Sequence, residues 1–397
     1  MNKNVTLNLK YALINGFYFM MVVGSGSYGY NFLKYSKFDT SMIGIALTCV
    51  SIIALIIQTS LAPIIDRSEK WNEKKLILVT MVVSIFLFAC MIAIPAGSMI
   101  LLIVAILAFA LAMSGIPYLN SLAFAYELEG QKINYGIGRG VGSAAYAIGA
   151  ALIGWLVSWL GGADDLIVKI LPYYMIACGI LTIVCLLSLK DPKKTAVPQE
   201  EVNQISYGEF FHKYKKIFVV LVAMVMIFFC HMLINTYMID VIKEIGGNTT
   251  DQGNAIFVQA MVELPTMFLF GLILKKFKVN NLLIFAAVCY VLKHALICFA
   301  PNLPFFFMAM VLQMFSYAVL VPASVYFAEE HVAPEDRNKG QAVVNAATTI
   351  GGLLASLFGG ILLSVISVHG VLLVGLTVTI LGAVCMILGI QIVKKAA

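Results

Sequence analysis

Long apolar blocks divide this chain, and they limit the folds that are open to it. About twenty consecutive apolar residues can cross a bilayer as a helix. Twelve such blocks follow one another along the 397 residues. Charged residues make up 12% of the sequence, about half the share of a typical soluble protein. The sequence therefore predicts an all-helical, multi-pass membrane protein.

One polar connection separates the twelve blocks into six and six. It runs from Lys190 to Lys216 and contains two prolines, whereas most other connections are short. We predict a six-helix bundle over residues 1–189, a linker over 190–216 and a second six-helix bundle over 217–397. The first block is too long for a signal peptide and lacks a small-residue cleavage site, so we expect it to remain as the first span.

The basic residues predict the orientation. If both termini are cytoplasmic, most of the 26 Lys and Arg residues fall on the cytoplasmic side. Only Lys34, Lys37, Lys169 and Lys243 fall on the other side. We therefore expect both termini on the cytoplasmic side of a cell membrane. In a bacterium this would be the inner membrane.

The eight cysteines all lie within predicted helices and show no Cys-x-x-Cys or Cys/His ligand spacing. We expect neither a disulfide nor a metal site from them, and no cofactor.

The two halves contain a repeated pattern. "GRGVGSAAYAIGAALIG" begins at Gly138 and "GQAVVNAATTIGGLLAS" begins at Gly340. At a constant offset the first aligns Ala145, Ile148 and Gly149 with Ala347, Ile350 and Gly351 of the second. Small residues here predict close packing of helices 5 and 11. Parallel repeats are typical of transporters that bind their solute near the bilayer midplane between the halves.

Two segments carry a family resemblance. "GIALTCVSIIALIIQTSLAPIIDRSEKWNEKKLIL", from Gly44, resembles the major facilitator segment that ends in an Asp-Arg/Lys turn, here Asp66-Arg67. Ala62 replaces the usual glycine of that segment. "YGIGRGVGSAAYAIGAALIG", from Tyr135, resembles helix 5 of the lactose permease-like (oligosaccharide–proton symporter) and phenylpropionate permease-like groups. The resemblance implies the major facilitator fold and solute transport rather than enzyme activity, with Asp66 and Arg67 in gating.

Glu263 and Lys293 are the acid and the lysine that we place deep within predicted helices. Glu263 lies in "IFVQAMVELPTMFLFGLIL" of helix 8 and Lys293 in "YVLKHALICF" of helix 9. Each is roughly 16 Å from the same membrane boundary at 1.5 Å per residue. Because a buried charge needs a partner, matched depth predicts an ion pair. Pro265 removes one backbone hydrogen bond and should loosen helix 8 beside the carboxylate.

The resemblance implies that Glu263 is linked to both solute and proton, and that Lys293 replaces an arginine of the group. A static salt bridge that fixes helix 8 against helix 9 is the alternative.

Helix 5 supplies the second candidate pair. Arg139 and Tyr146 are seven residues apart and therefore share one helix face. The resemblance implies that Arg139 anchors the solute and that Tyr146 replaces a sugar-stacking tryptophan. The alternatives are an arginine that extends toward the membrane surface and a tyrosine that only packs.

The chain also departs from the lactose permease-like pattern. Asn120 or Ser121 stands where that group has a helix 4 carboxylate, so galactoside specificity is not expected. Gln313 and Ser316 replace the proton-handling histidine and glutamate of helix 10, so proton coupling would depend on Glu263 and Lys293.

Further polar residues are candidates for lining a solute cavity. They are His231 and Asn235 on helix 7, Tyr28 and Asn31 on helix 1, Gln58 on helix 2, Gln259 on helix 8 and Gln313 on helix 10. For His231 and Asn235, hydrogen bonding between helices is the alternative.

Three functional hypotheses follow. The first is proton-coupled symport of a sugar or similar small polar solute. The second is uncoupled transport, exchange or export of small organic anions such as aromatic acids, because Arg139 and Lys293 outnumber Glu263. The third, a membrane enzyme or sensor, has no supporting motif, since metalloprotease, nucleophile-elbow and nucleotide-binding patterns are absent. The expected partners are a small solute, a proton and the lipid bilayer, without nucleic acid, and we expect a functional monomer.

Overall fold

The computed structural model describes residues 3–67, 71–128, 131, 133–192 and 206–394, and every regular element within them is a helix. This confirms the predicted all-helical class. The chain forms two compact units. Unit 1 contains Met1–Pro198 and Asn248–Phe257, and unit 2 contains Gln199–Gly247 and Val258–Ala397.

Unit 1 is built from eight α-helices and the first turns of the helix Thr249–Lys276. The eight are α1 (Lys3–Gly26), α2 (Gly29–Tyr35), α3 (Thr40–Arg67), α4 (Glu73–Ala93), α5 (Met99–Ser114), α6 (Ile116–Leu128), α7 (Tyr135–Trp159) and α8 (Ile167–Leu187).

Unit 2 contains the remaining α-helices, including the helix Thr249–Lys276 from Val258 onward. They are α9 (Tyr207–Lys213), α10 (Phe218–Thr236), α11 (Met238–Glu244), α12 (Thr249–Lys276), α13 (Val279–Cys298), α14 (Leu303–Val311), α15 (Tyr317–His331), α16 (Arg337–Val365) and α17 (Val368–Lys394).

The start of α12 groups with unit 1, which the predicted boundaries 1–189 and 217–397 do not anticipate. Thr249 donates its backbone N–H and its hydroxyl to Asp164, over 2.8 and 2.6 Å. The Gln252 amide accepts from Asn31 over 2.6 Å. These bonds hold the first turns of α12 to unit 1. Residues 193–205 of the predicted linker lie outside the described residues, and the domain boundaries stay a prediction.

Eleven helical segments of the described residues are long and apolar enough to cross a membrane. The first helix, α1, is not among them. Its polar residues, which include Asn15 and Ser25, are buried within unit 1. The prediction of twelve spans with both termini on one side therefore stays a prediction.

The helices α7 and α16 contain the two repeat segments and correspond to helices 5 and 11 of the sequence analysis. Glycines in both allow the close packing that the repeat predicts. A Cβ added at Gly149 would lie 3.3 Å from the Cα of Met20 in α1. A Cβ added at Gly351 would lie 2.8 Å from the Cβ of Phe228 in α10. Each of the two aligned glycines therefore lets its helix approach a neighbouring helix closely. The predicted close packing of these helices is confirmed.

The pair α5 and α6 is one membrane crossing interrupted at Gly115. Pro117 has no N–H to donate to the carbonyl of Met113. That carbonyl accepts from the backbone N–H of Gly115 and, over 3.4 Å, from the Gln58 amide. The carbonyl of Ala112 accepts from the Tyr18 hydroxyl over 2.6 Å. Side chains thereby satisfy backbone groups that a bilayer would leave without partners.

Three side chains hold the backbone that follows α8. Lys10 donates to the carbonyl of Ser188 over 2.7 Å, and Tyr126 donates to the carbonyl of Lys190 over 2.5 Å. Lys74 donates both to the carbonyl of Leu189 over 2.6 Å and to Asp191 over 2.7 Å. These hydrogen bonds, which we call the α8 clamp, fix the C-terminal end of α8.

We expect Lys74→Met to lower the melting temperature, because charge-assisted hydrogen bonds contribute about 1.5–3 kcal/mol. Lys75→Met is the matched control, because Lys75 lies 3.7 Å from Asp191 and is far more exposed. Thermal unfolding in detergent measures both, and equal melting temperatures would contradict the α8 clamp.

The same comparison has a pH dependence. The hydrogen bond from Lys74 lowers the pKa of Asp191. The contribution of this pair is therefore complete above the ordinary Asp pKa, near pH 4, and is lost as pH falls through the lowered pKa. The stability difference between wild type and Lys74→Met should shrink in that acidic range.

Candidate functional site

Unit 2 places Glu263, Gln313 and Lys293 in one hydrogen-bonded chain. Lys293 of α13 donates its ammonium group to the side-chain oxygen of Gln313. Gln313 donates its side-chain N–H to Glu263 Oε1 of α12 over 2.7 Å. The donor roles are forced, since an ammonium group only donates and an ionised carboxylate only accepts.

These hydrogen bonds correct the expected direct ion pair between Glu263 and Lys293. Among the described residues, Lys293 has no carboxylate within 4.0 Å, and the Gln313 amide stands between the two charges. Gln313 lies in a 3-10 turn, Leu312–Met314, that interrupts the crossing formed by α14 and α15. The equal predicted depth of Glu263 and Lys293 in the membrane indicated that the two charges lie near each other. It could not predict that this turn places an amide between them.

The three hydrogen-bonded residues differ in their burial. Lys293 and Gln313 are each only 1% exposed, whereas Glu263 is half-buried. Glu263 is therefore partly exposed, whereas the ammonium group of Lys293 is covered. An ionised lysine in such a place is costly unless a counter-charge or hydrogen bonds compensate it. The Gln313 oxygen and the carboxylate beyond it supply that compensation.

His231 and Asn235 contact each other on α10, as their spacing predicts. His231 Nε2 and Asn235 Nδ2 are 3.1 Å apart. The imidazole lies against the rings of Tyr290 and Tyr317, at 5.5 and 5.3 Å between centroids, and is buried. The hydrogen bond stays within one helix, so the alternative of bonding between helices does not hold for this pair.

Gln259 lies one turn before Glu263 on α12 and is buried. Pro265 does not end this helix, which continues from Thr249 to Lys276. The polar face that the sequence predicts beside the carboxylate is therefore present on an unbroken segment.

Unit 1 holds Arg139 in a defined orientation. Its guanidinium carbon lies 4.5 Å from the centroid of the Phe19 ring of α1, and its Nη1 donates to Ser143 over 3.1 Å. A Cβ at Gly142 would lie 2.7 Å from Phe19, so only glycine leaves room for this ring. Among the described residues, no carboxylate lies within 4.0 Å of Arg139. The half-buried guanidinium retains N–H groups for another ligand.

Tyr146 lies on the same helix as Arg139, with a half-buried ring. Its hydroxyl is 2.7 Å from the Ser27 hydroxyl, at the break between α1 and α2. Tyr28 follows directly and is fully buried, and it donates to the carbonyl of Ala150 over 2.7 Å. Tyr28 therefore ties helices together instead of presenting a face to a cavity.

Asn120 lies on α6, just beyond the Gly115 break, and is half-buried. Its Oδ1 is buried and makes no hydrogen bond within the part of the chain that the structure describes. Such an acceptor is costly unless a donor reaches it. Asn31 and Gln58 both donate a side-chain N–H in the helix contacts of unit 1 described above. Asn31 Oδ1 is like Asn120 Oδ1, since it is buried and accepts no hydrogen bond from the described residues.

The side chains of Asp66 and Arg67 lie outside the described residues, so their gating role stays a prediction. Phe19 was missed by sequence reasoning, because nothing in the sequence of α1 marks which aromatic ring faces α7. Within the described residues, no group of three His, Cys, Asp or Glu side chains could hold a metal ion.

We expect Gln313→Leu to lower the melting temperature substantially, because it leaves the buried Lys293 without its hydrogen-bond acceptor, a loss of about 3–5 kcal/mol for a broken buried charge contact. The double variant Gln313→Leu/Lys293→Met removes the stranded charge and should recover part of that stability. Thermal unfolding in detergent tests this. Additive losses in the double variant would contradict the coupling.

Relatives of the chain point to one family. A family model described as the MFS_1 like family matches residues 8–374. The maltose permease of Geobacillus stearothermophilus is 24% identical over 374 residues, which cover 94% of this chain and 92% of that protein.

Solved structures of transporters share the fold. The nucleoside transporter NupG superposes with a TM-score of 0.76 at 15% identity, over 98% of this chain and 99% of NupG. A bacterial homologue of the iron transporter ferroportin gives a TM-score of 0.73 at 12% identity, over 98% of each chain. At these identities the likeness shows the fold alone. The family match covers most of the sequence, and the chain is a multi-pass membrane transporter of the MFS_1 like family of the major facilitator superfamily, and not an enzyme.

Proposed function

We propose that this protein is a secondary active transporter that carries a small hydroxyl-rich solute, such as a sugar, together with a proton by alternating access. The observation that carries the proposal is the chain Lys293–Gln313–Glu263, in which a half-buried carboxylate balances a buried cation through one amide. The similarity to a maltose permease supports a sugar as the solute.

Protonation of Glu263 would change this chain in a definite way. The bond from Gln313 to an ionised carboxylate is charge-assisted, and it weakens when the carboxylate becomes neutral. Lys293 then loses its counter-charge while it is still buried. A solute oxygen that binds near Glu263, or a change in the exposure of the site, would relieve that cost. Proton binding and solute binding would therefore be linked.

Unit 1 offers the groups that suit a solute. The guanidinium of Arg139 can donate two parallel hydrogen bonds to neighbouring hydroxyls or to a carboxylate. Asn120 Oδ1 can accept one from a solute hydroxyl, and the half-buried ring of Tyr146 can pack on the apolar face of a sugar. His231, Asn235, Gln259 and Gln313 are the corresponding polar candidates of unit 2, and Tyr28 positions its neighbours.

A second candidate function is transport of small organic anions without proton coupling. The observation that favours it is the absence, among the described residues, of an acidic partner for Arg139. A carboxylate-bearing solute would supply that partner.

Proton movement separates the two functions. Purified protein in liposomes with an internal pH dye is given maltose, longer malto-oligosaccharides, nucleosides or aromatic carboxylates. We expect one hydroxyl-rich solute to cause proton entry, and Glu263→Gln to abolish that entry while the solute still equilibrates. Glu330→Gln, which removes an exposed carboxylate of α15, is the control and should behave as wild type. Solute flux without proton movement in wild type would contradict the symport proposal and favour the anion alternative.

The support of Arg139 by Phe19 gives a separate prediction. Gly142→Ala should displace the Phe19 ring and misplace the guanidinium, which raises the KM for the solute about tenfold or more. Gly140→Ala is the matched control on the same helix, because a Cβ there meets nothing within 4 Å. Radiolabelled solute uptake measures both. A normal KM in Gly142→Ala, at wild-type protein levels, would show that the orientation of Arg139 does not matter for binding.

A further inference from the structure

The short helix α9 is fixed rigidly beside the start of a membrane span. Phe210 is fully buried and packs on Tyr214 at 4.7 Å between ring centroids. Tyr214 and Lys213 both donate to the Asp336 carboxylate, over 2.8 and 2.7 Å. The span Lys215–Thr236 begins immediately afterwards. A bilayer crossed by this span would have its headgroups near α9.

The outer surface of this segment combines exposed aromatic rings with basic groups. Tyr207, Phe211 and Phe218 are 57, 38 and 51% exposed, and the rings of Phe211 and Phe218 lie 6.0 Å apart. Lys215 and Lys216 lie between these two phenylalanines in the chain and are exposed. We call these five residues the α9 surface. Aromatic rings beside lysines are typical of segments that lie in a membrane interface.

Two acidic side chains near α9, Glu209 and Asp336, are already engaged. Glu209 accepts from the backbone of Ser206 in a capping box, over 2.6 Å, and Asp336 is held by Lys213 and Tyr214. Among the described residues, no carboxylate lies within 4.0 Å of Lys215 or Lys216. The two ammonium groups are thus available to an anion that comes from outside the protein.

We propose that the α9 surface binds an anionic glycerophospholipid, with the headgroup phosphate at Lys215 and Lys216 and with Phe211 and Phe218 among the upper acyl carbons. A lysine near a membrane surface attracts anionic lipid, and two adjacent lysines add their effects. The exposed rings distinguish this occupant from a free phosphate ion, which would gain nothing from them. The inference is independent of the solute and of proton coupling.

Native mass spectrometry of the full-length protein in detergent tests the proposal. The probes are phosphatidylglycerol and phosphatidylcholine of equal chain length, offered at equal concentration. We expect wild type to retain phosphatidylglycerol with about a tenfold preference. Lys215→Gln/Lys216→Gln should lose most of that preference, and Lys215→Arg/Lys216→Arg should keep it.

Lys275→Gln/Lys276→Gln is the matched control. It removes two exposed lysines of the same unit, from the last turn of α12, where the helix carbonyls already oppose an anion. This variant should keep the preference. Equal retention of both lipids by wild type, an equal loss in both Gln variants, or full displacement of the lipid by inorganic phosphate at the same concentration would each overturn the proposal.

Discussion

The buried ammonium group of Lys293 is the constraint on which the arrangement of unit 2 depends. A cation that is 1% exposed within a membrane protein must be matched by hydrogen bonds and by a counter-charge. Unit 2 provides both through Gln313 and Glu263. The amide keeps the two charges apart, so Glu263 is half-buried while Lys293 is covered. A direct salt bridge would have tied both groups to one depth.

Interrupted helices make such sites compatible with a bilayer. The 3-10 turn between α14 and α15 carries Gln313, and the break between α1 and α2 carries Ser27, which meets Tyr146. Freed backbone groups need partners in hydrocarbon. At the break between α5 and α6, the side chains of Tyr18 and Gln58 supply them. Polar candidates and breaks therefore occur together for a physical reason.

Much of the fold follows from sequence patterns of long range. Apolar blocks predict the spans, and the aligned glycines Gly149 and Gly351 predict where helices approach closely. Equal depth on adjacent helices predicted that Glu263 and Lys293 interact, although the structure links them through Gln313 and not by a direct ion pair. Contacts that depend on a single turn or on a single ring did not follow. The interposed Gln313 and the Phe19 ring under Arg139 are set by side-chain direction, which sequence spacing does not contain.

In the proposed mechanism, Glu263 changes its protonation state when solute binds. Difference infrared spectroscopy of the protein in lipid, with solute added at fixed pH, follows the carboxyl C=O stretch directly. We expect a carboxyl signal that changes on solute addition in wild type and is missing in Glu263→Gln. A solute that binds wild type with no carboxyl change at any pH would contradict the account and leave Glu263 as a structural partner of Gln313 and Lys293.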